Sequence, residues 1–119
     1  MGATQLRHFK LWFAGKLKNW DLANYEVVEI RRSFDAAAEF YPEFQNGVLG
    51  KLITDVSAPA LAKIDKSIKA KDSAAFLRSF EKLTDACNSC HRAANVGFIA
   101  IRIPTSSPFS NQSFSPAPE

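Results

Sequence analysis

Four stretches of the sequence repeat apolar residues at three- and four-residue steps, the spacing that places side chains on one face of a helix. The first stretch predicts a helix over residues 4–18. The second begins after Asn19, a predicted N-cap, and ends at Pro42, because proline cannot continue a helix. Its apolar seam has the alternating spacing of a helix in a bundle and consists of Ala23, Val27, Ile30, Phe34, Ala37 and Tyr41.

The second half of the chain predicts two further helical regions. In the third region, over residues 48–71, Ser57 is a predicted new N-cap and Pro59 suits a first turn, so we expect a break or kink there. Asp72 is the predicted N-cap of the fourth helix. Gly97 is the predicted residue that ends this helix in the left-handed backbone conformation. One face of the fourth helix carries Phe76, Phe80, Leu83, Cys87, His91 and Ala94.

The predicted fold is all-α: a four-helix up-and-down bundle over residues 1–97, since amphipathic helices joined by short connections pack as antiparallel neighbours. Residues 98–119 form a C-terminal extension of different character. Its prolines forbid a helix, and its serines would suit a free chain. Its isoleucines and phenylalanines are too apolar for a disordered tail, so we expect residues 98–114 to lie ordered against the bundle.

The fourth helix ends in a run with a specific chemical signature, Cys87-Asn88-Ser89-Cys90-His91. Two thiols three residues apart, followed at once by an imidazole, are the attachment signature of a c-type haem. Each thiol adds across one vinyl group of the porphyrin, and the histidine is placed to bind the iron axially. The sequence therefore predicts one covalent haem c held by Cys87 and Cys90, with His91 as the proximal ligand.

Three other interpretations of this motif stay open. A thioredoxin-like redox pair normally opens a helix that follows a strand, and no strand is predicted upstream. A four-ligand zinc site would need a further cysteine or histidine, and only His8 remains. Two ordinary core cysteines beside a surface histidine would need no cofactor.

The first helix contains candidate groups for the other side of a haem. Helical spacing puts His8, the only histidine besides His91, on the flank of the apolar arc. A histidine there is usually a hydrogen-bonded core or boundary residue, and it is also the candidate second axial ligand. Gly15 lies nearly above His8 and leaves bare backbone, where either a porphyrin or a neighbouring helix could approach. Trp12 could cover the iron if His8 points elsewhere. Arg92 could pair with a haem propionate, because a guanidinium forms strong hydrogen bonds with a carboxylate.

Composition agrees with a small globular domain. The chain has 119 residues, 46% of them hydrophobic, and its ten phenylalanines and two tryptophans suit either a flat apolar cofactor or an aromatic-rich core. The net charge of +3 is scattered, whereas nucleic-acid binding would need denser basic clusters. No stretch approaches the roughly 18 apolar residues of a membrane helix. No secretory signal is visible, and bacteria attach haem outside the cytoplasm, so we expect the mature form of a periplasmic or otherwise exported protein.

The number of helices, and the position of Cys87 to His91 near the end of the fourth, resemble the cytochrome c′ and cytochrome b562 group over roughly residues 4–96. Cytochrome b562-like bundles use a methionine on the first helix as the second axial ligand, and this chain has His8 at a comparable place. Cytochrome c′-like proteins have an apolar residue there and an open iron. Class I cytochromes c carry the motif near the chain start and use a late methionine, whereas the only methionine here is Met1.

The sequence is also similar to a group of small bacterial haem proteins. The similarity lies in residues 5–8 (QLRH), 10–15 (KLWFAG), 19–22 (NWDL) and 108–112 (PFSNQ). It spans nearly the whole chain and implies little about activity.

These features predict a monohaem c-type cytochrome that exchanges single electrons with an unidentified redox partner protein. With His8 and His91 both on the iron, the haem would be closed, low-spin and of comparatively low potential. The alternative is a cytochrome c′-like protein whose open distal face binds NO or CO. A peroxidase would want a distal acid–base pair, and only His8 is available, so we expect no enzyme. Bundles of this kind often dimerise, and nothing in the sequence decides between a monomer and a homodimer.

Overall fold

The predicted amphipathic segments are helices in the structure, a computed structural model that describes residues 2–41 and 47–116. That part of the chain is all-helical, with no strand, which confirms the predicted all-α class. The predicted helix end at Pro42, and most of the connection after it, lie outside the described residues. The helical elements are α1 (Gly2–Lys16), α2 (Trp20–Phe40), α3 (Val48–Leu52), a π-helical segment (Ile53–Ser57), α4 (Ala58–Lys69) and α5 (Ser73–Ala93).

Two of the three predicted N-caps, Asn19 and Asp72, are confirmed. The Asn19 side chain accepts a hydrogen bond from the backbone N–H of Leu22 at 3.2 Å, and the Asp72 carboxylate accepts one from Ala75 at 3.0 Å. Each bond satisfies a donor that the first turn of a helix leaves without an intrahelical partner. The starts of α2 and α5 are therefore determined by their local sequence.

The predicted left-handed cap at Gly97 is wrong. Asn95 is the left-handed residue, with φ of 64°, and the backbone N–H of Val96 donates to the His91 carbonyl at 2.8 Å. This is a hydrogen bond of the Schellman motif, and asparagine tolerates the left-handed conformation better than most residues with a Cβ. The chain consequently leaves α5 only a few residues after the C-x-x-C-H run.

The predicted N-cap at Ser57 is wrong, and at the predicted break or kink the structure has a change of helix type. Ser57 has helical dihedral angles and makes no side-chain cap, so the helical conformation continues from α3 through the π segment into α4. The irregularity is a wider turn, in which the N–H of Ala58 donates to the carbonyl of Ile53, five residues earlier. Because Pro59 has no backbone N–H, a wider turn immediately before it accommodates the missing donor without ending the helix.

The helices pack around one apolar core: α1 contacts α2, α2 contacts α4, α4 contacts α5, and α5 returns to α1. The predicted faces of α2 and α5 supply much of this core, although Tyr41 at the end of the α2 seam is 63% exposed. No residue of α3 is buried, so the tight packing lies away from α3. The buried cluster consists of Leu11, Ala14, Ala23, Val27, Ile30, Phe34, Ala60, Leu61, Ile64, Ile68, Phe76, Phe80, Leu83 and Ala86.

The tail, residues 98–116, returns to the surface of α1. Phe109 contacts the Phe9 ring, with centroids 5.6 Å apart. The buried Phe114 lies 5.7 Å from the Phe13 ring. Aromatic contacts therefore join the tail to α1, although its first residue is 84% exposed.

Gly15 of α1 lies directly against the Phe76 ring of α5. A methyl group built at Gly15 would overlap ring atoms of Phe76. That ring is fully buried, so it has no free space to turn into. Of the two roles considered for this glycine, the structure shows the close approach of a neighbouring helix.

We expect Gly15→Ala to destabilise the protein by up to about 2 kcal/mol, although alanine is the better helix former. Overpacking a core costs about 1–3 kcal/mol, which exceeds the gain of about 1 kcal/mol in helix propensity. Gly50 in α3 is the matched control, because no atom outside its own turn of helix and its chain neighbours lies within 4 Å of a methyl group built there, in the described part of the chain. Gly50→Ala should stabilise the protein by up to about 1 kcal/mol. Urea unfolding measures both variants, and equal effects would contradict the close packing.

Candidate functional site

A cavity of about 620 Å³ lies where α3 and the last turns of α5 face each other. Its volume is within the range of about 300–1,000 Å³ that is usual for ligand sites. Its walls are mainly apolar and include Phe34, Leu49, Leu52, Ile53, Ile99 and Ile101. The four lining residues that bear thiol or imidazole groups are Cys87, Cys90, His91 and His8. The structure thus brings together at one cavity the four residues with the strongest predicted roles.

Cys87 and Cys90 are free, half-buried thiols on the last two turns of α5. Burial, and to a lesser extent the second thiol, raise the pKa of Cys87 to about 11, so this thiol is protonated at neutral pH. Reactive cysteines of redox pairs have instead a lowered pKa, often at the start of a helix. The position and protonation of Cys87 therefore disfavour the thioredoxin-like interpretation.

His91 has one ring nitrogen fixed by the backbone. Its Nδ1 lies 2.6 Å from the carbonyl oxygen of Ile99. A carbonyl oxygen can only accept, so Nδ1 carries the proton and donates it. In the neutral imidazole, the other nitrogen, Nε2, then keeps its lone pair, which is the arrangement of a histidine prepared to bind a metal ion.

His8 is buried at the cavity wall, and burial lowers its pKa to about 4, so the imidazole is neutral at pH 7. Its Nε2 lies 2.9 Å from the hydroxyl oxygen of Thr84. Because that hydroxyl donates its only proton to the Phe80 carbonyl at 2.9 Å, it must accept from His8. Nε2 therefore carries the proton and Nδ1 keeps the lone pair.

Three predicted cofactor residues, Trp12, Gly15 and Arg92, are not among the described residues that line the cavity. Trp12 packs on Phe80 with ring centroids 5.0 Å apart, and its buried Nε1–H has no hydrogen-bond partner in the described part of the chain. Arg92 is exposed and donates to the Ser89 hydroxyl at 3.3 Å. Their roles toward a cofactor stay predictions.

The polar residues that contact His8 and Cys90 were not identified from the sequence. Thr84 holds His8, and Ser57 Oγ lies 3.5 Å from Cys90 Sγ. Thr84 does have a sequence signal, since it lies three residues before Cys87 on the same face of α5. The contact from Ser57 joins two distant helices, and no local pattern indicates it.

No protein-family model, curated protein or solved structure matches the chain. Over residues 2–41 and 47–116, no helix is both long and apolar enough to cross a membrane. In the same ranges, no three His, Cys, Asp or Glu side chains form a group suited to a metal ion. The case for a function therefore depends on the cavity and on the four thiol and imidazole groups that line it.

Proposed function

We propose that this chain is a monohaem c-type cytochrome built on an up-and-down four-helix bundle. Cys87 and Cys90 would hold the haem covalently, and His91 would bind its iron. The observation that carries the proposal is the coincidence of three features at one place: two spaced thiols, a histidine with a free Nε2 lone pair, and a mainly apolar cavity. A covalent tether, an axial ligand and apolar surroundings are what such a cofactor requires of a protein.

The cavity wall suits a large, flat, apolar group. Protein interiors are normally packed as densely as organic crystals, yet Leu49, Leu52 and Ile53 face a cavity of about 620 Å³. Full burial of such a side chain stabilises a protein by about 1.5–3 kcal/mol. A bound group that covers these side chains would therefore stabilise α3 and the folded chain as a whole.

Haem iron supplies a one-electron couple whose potential depends on its axial ligands, their hydrogen bonds and the burial of the site. The chain has residues that act on each of these. The Ile99 carbonyl accepts from His91 Nδ1 and so makes the imidazole a stronger ligand. His8 is neutral at pH 7 and lies at the same cavity, which makes it the candidate second ligand of an electron-transfer protein.

The hydrogen bond between His8 and Thr84 favours a second candidate function. While His8 Nε2 donates to Thr84, that nitrogen has no lone pair for a metal ion, so His8 could bind one only through Nδ1 or after losing this hydrogen bond. An iron bound by His91 alone would keep a coordination position for a small gas such as NO or CO. Ligation of the iron by His8 therefore separates electron transfer from gas binding, and the hydrogen bond to Thr84 opposes ligation through Nε2.

Absorption spectra of the oxidised and reduced protein, with and without CO, test the proposal. We expect a low-spin spectrum that CO leaves unchanged, the result of two histidine ligands. His8→Ala should then become high-spin and bind CO, whereas Gln5→Ala, a neighbouring position of the cavity wall, should keep the wild-type spectrum. A high-spin wild-type protein that binds CO would favour gas binding. Absence of haem bands, in protein produced with the attachment machinery, would overturn both functions.

Thr84→Val shows whether the hydrogen bond keeps His8 away from the iron. Valine has nearly the shape of threonine but cannot accept a hydrogen bond from His8. In a protein that binds CO, the substitution should weaken CO binding by up to about tenfold, since a hydrogen bond contributes about 0.5–1.5 kcal/mol. Titration with CO measures the change. Unaltered CO affinity would show that His8 does not compete for the iron.

We also propose that the protein acts outside the cytoplasm, where bacteria attach haem to thiols. Its net charge of +3 would favour an acidic redox partner through long-range attraction. Electron exchange with an acidic donor protein should then slow as ionic strength rises. A rate that is independent of salt would count against such a partner.

A further inference from the structure

The first variable position of the C-x-x-C-H run, Asn88, joins α5 to the tail through both polar atoms of its side chain. Nδ2 donates to the Ile101 carbonyl at 2.8 Å, and Oδ1 accepts from the Ile101 backbone N–H at 2.7 Å. The side-chain amide thus pairs with the donor and the acceptor of one residue, as a neighbouring strand would. Aspartate lacks the donor, and alanine lacks both groups.

The same stretch of tail supplies the acceptor for His91. Ile99, two residues before Ile101, accepts from His91 Nδ1 at 2.6 Å. The N–H of Ile99 donates to the Val96 carbonyl at 2.8 Å. Asn88 and His91 are three residues apart on α5, so they lie on one face of the helix. Two side chains of that face therefore bind two alternate residues of the returning chain.

The position of the Ile99 carbonyl depends on these anchors. Irregular surface segments are normally more mobile than the elements they join, and Ile99 is 47% exposed. A carbonyl on such a segment needs fixed points on both sides to stay in line with a ring nitrogen. Before Ile99, the hydrogen bond from its N–H to the Val96 carbonyl fixes the chain. After Ile99, the two hydrogen bonds between Asn88 and Ile101 fix it.

We propose that Asn88 is a positioning residue for His91. By holding residue 101, it keeps the Ile99 carbonyl on Nδ1, which fixes the imidazole ring and leaves the lone pair on Nε2. The same bonds hold Ile99 and Ile101 in the cavity wall. The influence of Asn88 on a haem iron rests on the proposed function, whereas the positioning of His91 does not.

Hydrogen exchange, followed by NMR in the full-length protein with both cysteine thiols reduced, tests whether Asn88 positions His91. In Asn88→Ala, the Ile101 amide and the His91 Nδ1–H should each exchange about tenfold faster than in the wild type. Ser89→Ala, at the other variable position, is the matched control and should leave both rates unchanged. Asn88→Asp keeps the size of the side chain but loses the donor, so it should also accelerate the His91 proton. Wild-type rates in both Asn88 variants would overturn the proposal.

The reduction potential of the haem-loaded protein is the second measurement. A less firmly hydrogen-bonded His91 donates less to the iron, which favours the reduced state. The oxidised-to-reduced ratio at a fixed electrode potential should therefore fall about tenfold in Asn88→Ala, which corresponds to about 59 mV for one electron. An unchanged potential would overturn the influence on the iron. A protein without haem would overturn the proposed function, and the exchange rates would still decide the role of Asn88.

Discussion

If haem is attached as proposed, replacing both Cys87 and Cys90 with alanine should remove all covalently bound haem from the protein. In a c-type site each thiol forms one bond with the porphyrin, so each single variant should keep one bond and the double variant none. The mass of the denatured protein measures this directly, because a covalent haem adds its full mass to the chain. The added mass of the haem should therefore be present in the wild type and absent in the double variant.

Ser89→Ala keeps both thiols at their spacing, and its denatured chain should carry haem in full. Haem that stays on the denatured double variant would disprove attachment through this motif. The native double variant should still take up added haem, because His91 and the apolar wall of the cavity remain. In the double variant, the haem that is bound by the native protein and lost on denaturation measures the binding due to the cavity alone, without the covalent bonds.

The helix starts could be predicted because their signals are local. Asn19 and Asp72 each bond a backbone N–H three residues later, so a short window contains both donor and acceptor. Ser57 has similar side-chain chemistry, but the residues before it are already helical and it makes no cap. A serine caps a helix only where the preceding chain is not helical, and its own identity does not determine that.

The helix ends are harder to predict, because several residue types can adopt the required conformation. The left-handed residues after α1, α4 and α5 are Lys18, Lys71 and Asn95, and none of them is glycine. A residue with a Cβ costs about 1–2 kcal/mol in this conformation. The two backbone hydrogen bonds of a Schellman motif at each of these ends offset that cost. Gly97, the residue that the pattern favoured, is not needed for the turn.

The candidate site could be predicted in part. Helical periodicity alone places Cys87 and His91 on one face of α5, and that face lines the cavity. The hydrogen bonds that set the two imidazoles have no such signal. Ile99 contributes a backbone carbonyl, which every residue has, and Thr84 meets His8 across 76 positions of the sequence. Contacts of that kind depend on the packed fold and on the path of the tail.

A buried ion pair joins α1 and α2, and the spacing of apolar residues in the sequence does not predict it. Glu26 is 1% exposed, and Arg7 Nη1 lies 3.2 and 3.4 Å from its two carboxylate oxygens. Glu26 lies three residues after Ala23 and four before Ile30, on a face that is otherwise apolar. Burial raises the pKa of Glu26 above its ordinary value, and Arg7 is the main group that opposes this shift.

We expect Arg7→Met to destabilise the protein by about 3 kcal/mol at pH 7. Removing one partner of a buried pair costs about 3–5 kcal/mol, because the other charge stays buried without compensation. The Arg7 side chain is 27% exposed, so the lower end of that range applies. Arg32→Met is the matched control: Arg32 pairs with Glu29 at 3.0 Å and is 73% exposed. It should cost less than about 1 kcal/mol. Chemical denaturation measures both.

The pH dependence of the same variant identifies Glu26 as the cause. A buried acid with a raised pKa contributes its full stability below the ordinary value of 4.5, and that stability is lost as the pH rises through the raised pKa. Arg7→Met raises the pKa further, so the difference in unfolding free energy from the wild type should grow between pH 4.5 and pH 7. Lys10 and Glu29, which also act on this carboxyl, are present in both proteins.

The double variant Arg7→Met/Glu26→Met removes both charges and separates the ion pair from simple packing. Apolar side chains of similar volume often replace a buried ion pair without loss of stability. The double variant should therefore recover most of the stability that Arg7→Met loses, and the growth of the difference with pH should disappear. A constant deficit at every pH, shared by the single and the double variant, would show that Arg7 stabilises the α1–α2 contact by packing alone.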